Sequence, residues 1–585
     1  MESFDVVVIG GGPAGSTTAS FLRKLGQRVV LLERDRFPRH HVGESMIAAT
    51  IDVLAEIGLE EKLAAAGFPV KSGGCFIWGE SDEPWCIRFA EVPGRPTAYQ
   101  VKRDVFDQLL LDHSASLGVD VRQEHRVTQI VSENGRVVGV SASARDGSSH
   151  EFRAPYTVDA SGLAAVISNR VSSRIPVEEL KNVAVYGYWT GAHPAPAGLG
   201  GQIRPTDRNN IIIKWLGPGW LWFIPLGHGD RISVGYVTPR SEIPSGGGRE
   251  GMERFLLEKV RSSEEYGYLL SNSKYTGEFH IEQDWSYRSQ EMSGPGYFAV
   301  GDAACFVDPI LSTGVYLATL YAKLCAIAVH TCMGARDQEG LVREWYEGLY
   351  NDTYLDYVQM ARFWYRGHRR VGDWMHEARE ATSEDQAYAE SDRSSFIGLA
   401  TGNIHAHPGY VLLRKIESLP LPVYLRKDPR AGFHREAQKA LEGHAALESG
   451  ALTERAAQGT RAALGRSREL KEKLARLTAP RDAVSDAFEA GPVELADEQV
   501  VALAPDARVT LEVVDDLVTV VVANAAGGRR RLARHEQTVL AGLASGARVA
   551  ALAGSAPDPA AARAFLAELV GAGVAVASPS APPSA

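Results

Sequence analysis

The chain has 585 residues, 45% of them hydrophobic, with a net charge of −10. That length supports two to four domains with real cores, and the acidic balance argues against a nucleic-acid polyanion as the main ligand. The first apolar run has no basic segment before it, and no window approaches about 18 uninterrupted apolar residues, so the expectation is a cytoplasmic enzyme with no membrane partner.

The opening stretch organises the rest. Asp5 to Ile9 is a β-branched apolar run, followed by Gly10-Gly11-Gly12-Pro13-Ala14-Gly15, a helix-compatible segment to about Leu25, and a second apolar run from Arg28 to Leu32 that ends in Glu33. Strand, glycine turn, helix, strand and acid form the complete dinucleotide-binding unit. Gly10 makes the tight turn, Gly12 lets backbone N–H groups approach a pyrophosphate, and Gly15 lets helix pack on strand. The helix N-terminus faces the phosphates, and Glu33 is placed for ribose hydroxyls.

The loop Arg36 to Ser45 reads RFPRHHVGES, and helical spacing resumes over Ile47 to Ala65. Lys71 then precedes Gly73-Gly74 and an apolar strand from Cys75 to Trp78. Gln100 to Leu110 has strand-to-helix character, with Phe106, Leu109 and Leu110 on one face. Strands follow at 119–122, 126–131 and 136–143, the last two joined at Glu133-Asn134-Gly135. Thr157 to Gly162 is another strand and glycine turn. Residues 180 to 290 alternate as a mostly antiparallel sheet does. Tyr297 to Val300 is a short strand running into Gly301-Asp302, which reads as the opening of a helix. The five cysteines are odd in number and lack CxxC spacing, so no disulfide and no metal site is expected, and each reads as a buried thiol.

Taken together and in order, the N-terminal GxGxxG, Arg103 in QVxRxxFD, Asp159 to Gly162 and Gly301-Asp302 resemble the flavoprotein monooxygenases with the aromatic-hydroxylase fold. Trp220-Leu221-Trp222-Phe223-Ile224-Pro225 fits the WxWxIP pattern of the flavin-dependent halogenases within that class. The resemblance covers about residues 1 to 375. It implies an α/β fold with a Rossmann-like FAD-binding domain, in parts at about 1–170 and 290–340, and an inserted sheet-rich substrate part at about 171–289. The FAD set it implies is Gly10, Gly12, Pro13, Ala14, Gly15, Glu33, Arg34, Arg103, Asp159, Gly162, Trp220, Trp222, Pro225, Asp302 and Pro309.

The same resemblance implies that the two tryptophans shield the flavin, and that hypochlorous acid made from FADH2, oxygen and chloride travels to Lys71. Lys71 either holds it by hydrogen bond or forms a chloramine, the second route needing an amine whose pKa burial has lowered. A solvated surface lysine is the plain alternative. Glu44 resembles a glutamate near the flavin and near the internal tunnel that, by the same resemblance, leads to Lys71, or else is an acid favoured by a helix N-terminus. Ser312, Thr313 and Gly314 would bind chloride through backbone N–H groups. Tryptophan halogenases carry glutamate just before that turn, where this chain has Leu311. Phenolic, pyrrolic or enolisable substrates are therefore favoured.

Tyr346, Tyr350, Tyr354 and Tyr357 form one helical stripe, read mainly as core, with a place around an aromatic substrate as the second reading. Residues 376–480 read as a helical wrapping and linker segment and 481–577 as a small winged-helix-like module, with a hairpin at 509–522, helices near 536–543 and 559–570 and a strand near 574–577. Residues 578–585 read as a disordered tail. Arg529, Arg530, Arg531 and Arg534 read as a solvated face. Expected partners are a separate flavin reductase and, by analogy, a carrier protein bearing the substrate in natural-product biosynthesis. The competing readings are a single-component hydroxylase using NAD(P)H, a prenyl reductase and a flavin-sensing regulator.

Overall fold

The computed structural model describes residues 1–365 apart from 80–82, 93, 228–230, 245 and 284–285, then 392–402 and parts of 500–578. The chain divides into two units, Met1–His407 and Pro408–Ala585.

The first unit is built on a six-stranded sheet in the order Ser293–Gly294, Tyr297–Ala299, Tyr156–Asp159, Val6–Ile9, Val29–Leu32, Asp120–Arg122. All pairs are parallel except the one at the Ser293 edge. The strands read VVVI and VVLL without alternation because both faces are covered. On one side Val7, Ile9, Val30 and Leu32 pack with Val137, Val140, Ala142 and Phe152 of a second, smaller sheet. On the other lies the helix Pro13–Lys24, with Gly314–Gly334 against it. Gly314–Gly334 is long and apolar enough to cross a membrane, yet it is largely buried, against Pro13–Lys24, Ala48–Glu56 and Glu339–Tyr365.

A seven-stranded sheet runs in the order Lys274–Gln283, Asn182–Thr190, Arg231–Pro239, Gly219–Gly227, Ile211–Leu216, Gly73–Ile77, Trp85–Arg88. Only the pair Ile211–Leu216 with Gly73–Ile77 is parallel. Its residues alternate between two environments. Leu221, Phe223, Ile212 and Cys75 pack on Leu256, Val260 and Tyr266 of two covering helices. Trp220, Trp222, Tyr186, Tyr188 and His280 lie at the alternate positions and so line the other face.

Three expectations change. The helix foreseen over Ile47 to Ala65 is two helices, Ala48–Glu56 and Glu60–Ala65, because Gly58 at φ +86 turns the chain between them. Gly301-Asp302 opens a single 3₁₀ turn, Gly301–Ala303, which passes into the strand Cys305–Phe306; the long helix starts only at Gly314. Cys75 and Cys86 are disulfide-bonded. They face each other across an antiparallel pair with Cα atoms 4.1 Å apart, so the fold brings together two residues whose spacing carries no signal. Cys305, Cys325 and Cys332 remain as thiols. Thiol titration of the unfolded, unreduced protein is therefore expected to count three groups, rising to five after reduction. Five before reduction would remove the bond.

In the second unit, Val500–Leu503 pairs with Ala547–Arg548 and Ala575–Ser578, and the hairpin Arg508–Val514 with Leu517–Ala523 carries Arg529–Arg531. The helix Pro559–Gly571 follows. Arg530 is not a bare surface charge: it pairs with Glu536 at 2.7 Å and Glu568 at 2.8 Å and lies over Phe565. Half of the helix expected near 536–543, the segment 403–499 and the tail 579–585 lie outside the described residues.

Candidate active site

The glycine turn after Val6–Ile9 is built for close approach. Gly10 sits at φ +101, and a Cβ there would lie 2.4 Å from the Ala160 carbonyl oxygen. A Cβ on Gly15 would lie 1.9 Å from the Gly10 oxygen, so helix and turn meet through bare backbone. Gly12 caps the helix with no side-chain hydrogen bond, Pro13 follows it, and the first turn carries no acid. Among the described residues, the space beside Gly12 is bordered only by the Arg39 guanidinium, 3.3 Å from where a Cβ would stand. Open N–H groups, a positive helix end and a guanidinium fit a pyrophosphate, so the residues present fit FAD.

Glu33 is buried and fixed at the base of the turn: Gly11 N donates to its Oε2 at 2.6 Å and Asp35 N to its Oε1 at 2.8 Å. Ala14 is buried beside Gly301, and Gly301, at φ +63, leaves room for it: a Cβ there would stand 3.0 Å away. Asp302 is thereby set against the start of the dinucleotide helix. Burial pushes its carboxyl up to about 6, against the pull of Arg103. Arg103 opens the helix Arg103–Ser116, clasps Asp107 through two bonds of 2.7 and 2.9 Å, and donates to the carbonyls of Val42 and Gly43. It thus ties the RFPRHHVGES loop to the cofactor site. Arg34 is exposed and pairs with Asp35. Asp159 is buried with its oxygens filled by donors from Ser161, Ile167 and Ser168, so it serves the site by fixing the turn at Gly162.

Trp220 and Trp222 are both buried, with ring centroids 6.0 Å apart. The slot for Trp222 exists because residue 235 is glycine; a Cβ there would lie 2.3 Å from the indole. Trp222 Nε1 donates to Ser233 Oγ at 3.1 Å, and Ser233 also hydrogen-bonds Glu44. Tyr188 Oη donates to Glu44 Oε1 at 2.9 Å. Burial pushes the Glu44 carboxyl up to about 7, with Ser233, Tyr188, Arg231 and Arg103 pulling it down. A carboxyl that exchanges its proton near neutrality serves as both acid and base. Tyr188→Phe removes a bond that favours the carboxylate, so the Glu44 titration is expected to move above pH 7. The pH dependence of turnover for the two proteins checks this, and an unmoved limb would separate Glu44 from Tyr188.

Lys71 is 3% exposed and ends the strand Val70–Lys71, opposite Ala98. Its Nζ donates to Ser45 Oγ and to the Met46 carbonyl, both at 2.8 Å. Neither acceptor is charged, and burial alone pushes the amine from 10.5 down to about 7. Glu44 and Ser45 are successive in strand-like backbone, so their side chains leave on opposite sides. Glu44 goes to Tyr188 and Ser233, Ser45 to Lys71.

Asp308 caps the 3₁₀ turn Pro309–Leu311 through Ile310 N at 3.0 Å. Ser312 turns the chain at φ +58 and gives its own N–H to the Pro309 carbonyl at 3.0 Å, so it is not the chloride donor expected of it, whereas Thr313 caps Gly314–Gly334 with no side-chain hydrogen bond, which leaves first-turn N–H groups to an anion. Trp220 Nε1 donates to Tyr365 Oη at 2.8 Å, and Tyr365 donates to Asp308 Oδ1 at 3.0 Å. The tryptophan strand is thus tied to that turn. Pro225 sits lower on the same strand, opposite Ile232. Leu311 is buried. The tyrosine stripe is core: all four rings are buried, Tyr346 donates to Ala299 O, and Tyr350 accepts from Gly301 N.

The sequence reading missed Ser45, Arg39, Asp308, Tyr188, Ser233 and Tyr365. Arg39 and Ser45 stand inside RFPRHHVGES and Asp308 directly before Pro309; Tyr188 and Ser233 are polar positions in an alternating sheet and Tyr365 ends a helix, with no local signal.

Residues 3–322 match the family model described as an FAD binding domain. The chain is similar to a tryptophan 2-halogenase of Chondromyces crocatus, 30% identical over 66% of this chain and 72% of that protein. Its fold is similar to the myxobacterial chondrochloren halogenase CndH, with a TM-score of 0.58 and 35% identity over 69% of this chain and 97% of that one. It is also similar to CmlS, a flavin-dependent halogenase, with a TM-score of 0.59 and 25% identity over 99% and 96%.

Proposed function

Since the chain belongs to the flavin-dependent halogenases, within the FAD-binding monooxygenase superfamily, we propose that it chlorinates an electron-rich carbon through Lys71. Bound as FADH2 and met by oxygen and chloride, the flavin supplies hypochlorous acid. The observation that carries the reading is the setting of Lys71: enclosed, held by two neutral acceptors, and pushed down to about 7. Such an amine is largely unprotonated above neutrality and attacks chlorine, the N–Cl bond forming as the O–Cl bond breaks and water leaves. The chloramine then gives its chlorine to carbon and recovers a proton at nitrogen. Trp220 and Trp222 keep substrate away from the flavin, Glu44 holds the exchangeable proton on their side, and Thr313 and Gly314 N–H groups hold chloride.

Leu311 offers no carboxylate beside the reacting carbon, which supports phenolic, pyrrolic or enolisable substrates. The proposed setting is natural-product biosynthesis, with a flavin reductase as transient partner and the substrate on a carrier protein. The test is mass spectrometry of such substrates, free and carrier-loaded, incubated with reductase, FAD, NADH and chloride. Chlorine replacing hydrogen only when reductase and chloride are both present supports the reading. Rapid NAD(P)H oxidation by the protein alone with a hydroxylated product would replace it by a single-component hydroxylase.

A further inference from the structure

Gln100 is wholly buried, and its amide is half satisfied. Nε2 donates to the Asn209 carbonyl at 2.9 Å, which fixes the amide's orientation, since a carbonyl accepts only from N–H. Oε1 is then left buried with no donor among the described residues. A buried acceptor without a donor is rare and costly unless a ligand or water supplies one.

Its position makes it more than a packing defect. Gln100 stands opposite Ser45 in an antiparallel bridge, and partners in such a bridge project to the same face. Ser45 Oγ is the group that Lys71 Nζ reaches. Lys71 itself lies opposite Ala98, two residues before Gln100 and therefore on the same face of that strand. Lys71, Ala98, Gln100 and Ser45 thus share one face, on which Lys71 is hydrogen-bonded to the bridge partner of Gln100.

We propose that Gln100 Oε1 is the acceptor that anchors the O–H group of a ligand at Lys71, a proposal that rests on the lysine reading above. The O–H donor is hypochlorous acid or a substrate hydroxyl. With the acid held by its O–H, chlorine is left to the lysine nitrogen: N–Cl forms, O–Cl breaks, and the oxygen departs as water with a proton from the amine.

The test uses the full chain with FAD, reductase and chloride, and compares Gln100→Met, which keeps size and removes the acceptor, with Gln100→Glu, which keeps the acceptor and adds charge. Taurine traps escaping hypochlorous acid when no substrate is present. Gln100→Met is expected to bind the flavin and oxidise FADH2 as the parent does, while leaking about tenfold more oxidant and chlorinating about tenfold more slowly, the weight of one hydrogen bond. An unchanged leak with a raised substrate KM assigns the acceptor to the substrate hydroxyl instead. Gln100→Glu places a carboxylate beside the amine and is expected to move the lysine limb of the pH profile upward. Parent-like leak, KM and chlorination in Gln100→Met, or a loss that follows FAD affinity, would overturn the proposal. In the event that Gln100→Met does not fold, an unmoved limb in Gln100→Glu overturns it. Failure here with Lys71→Met inactive leaves the lysine reading standing; an active Lys71→Met removes both.

Discussion

Lys71→Met is expected to lower chlorination by about 10²- to 10⁴-fold, the range that a positioned acid–base group supplies, while flavin oxidation continues and oxidant escapes. The side chains are similar in length and apolar stem, so the flavin site is untouched and only the amine is lost. A second, independent signature lies in stability. The folded amine titrates at about 7 and the unfolded one at 10.5. Below pH 7 both states hold the proton, and the native state bears the full cost of a buried charge. Between about 7 and 10.5 the unfolded state binds more protons, so wild-type stability rises with pH. Methionine carries no such penalty. The melting temperature of Lys71→Met minus that of the wild type is therefore expected to fall as pH rises from about 7 toward 10.5. A difference independent of pH would place the ammonium in water rather than in the core.

Two glycines of the nucleotide turn separate folding from binding. Gly10→Val forces a branched side chain onto φ +101 and against the Ala160 carbonyl. Left-handed backbone costs about 1–2 kcal/mol and overpacking about 1–3 kcal/mol, so about 2–5 kcal/mol of stability is expected to go, and FAD with it. Gly12 has φ −70 and meets only the movable Arg39 guanidinium, so Gly12→Val is expected to fold near the wild-type melting temperature. Its side chain stands where the pyrophosphate approaches, and FAD affinity is expected to fall by about 10²-fold, or roughly 3 kcal/mol. Fluorescence titration with FAD and melting of the flavin-free protein separate the two. Parent-like FAD affinity in Gly12→Val would move the phosphates elsewhere.

What was legible in the sequence is what repeats at short range. VVVI, the glycine turn and Glu33 lie within thirty residues and predict one another, and the paired tryptophans mark a strand face on their own. The partners that give these residues their chemistry come from far away. Tyr188 reaches Glu44 across 144 residues and Tyr365 reaches Trp220 across 145. No periodicity encodes such pairs; the packing of a loop and a helix end against the seven-stranded sheet creates them. The same holds for Cys75 and Cys86, which are ordinary thiols until register places them face to face. Asp159 shows the converse limit: a motif position that reads as a ligand is occupied by the amides of its own turn.

Production of oxidant at the flavin and its consumption at a distant amine is the central claim. It is met most directly by loading the enzyme with FADH2, oxygen and chloride in the absence of substrate, removing small molecules, and measuring active chlorine left on the protein. The expected result is up to one equivalent in the wild type, transferable to a later-added phenol, and none in Lys71→Met. Equal retention in both proteins, or none in either with product still formed, would contradict the account.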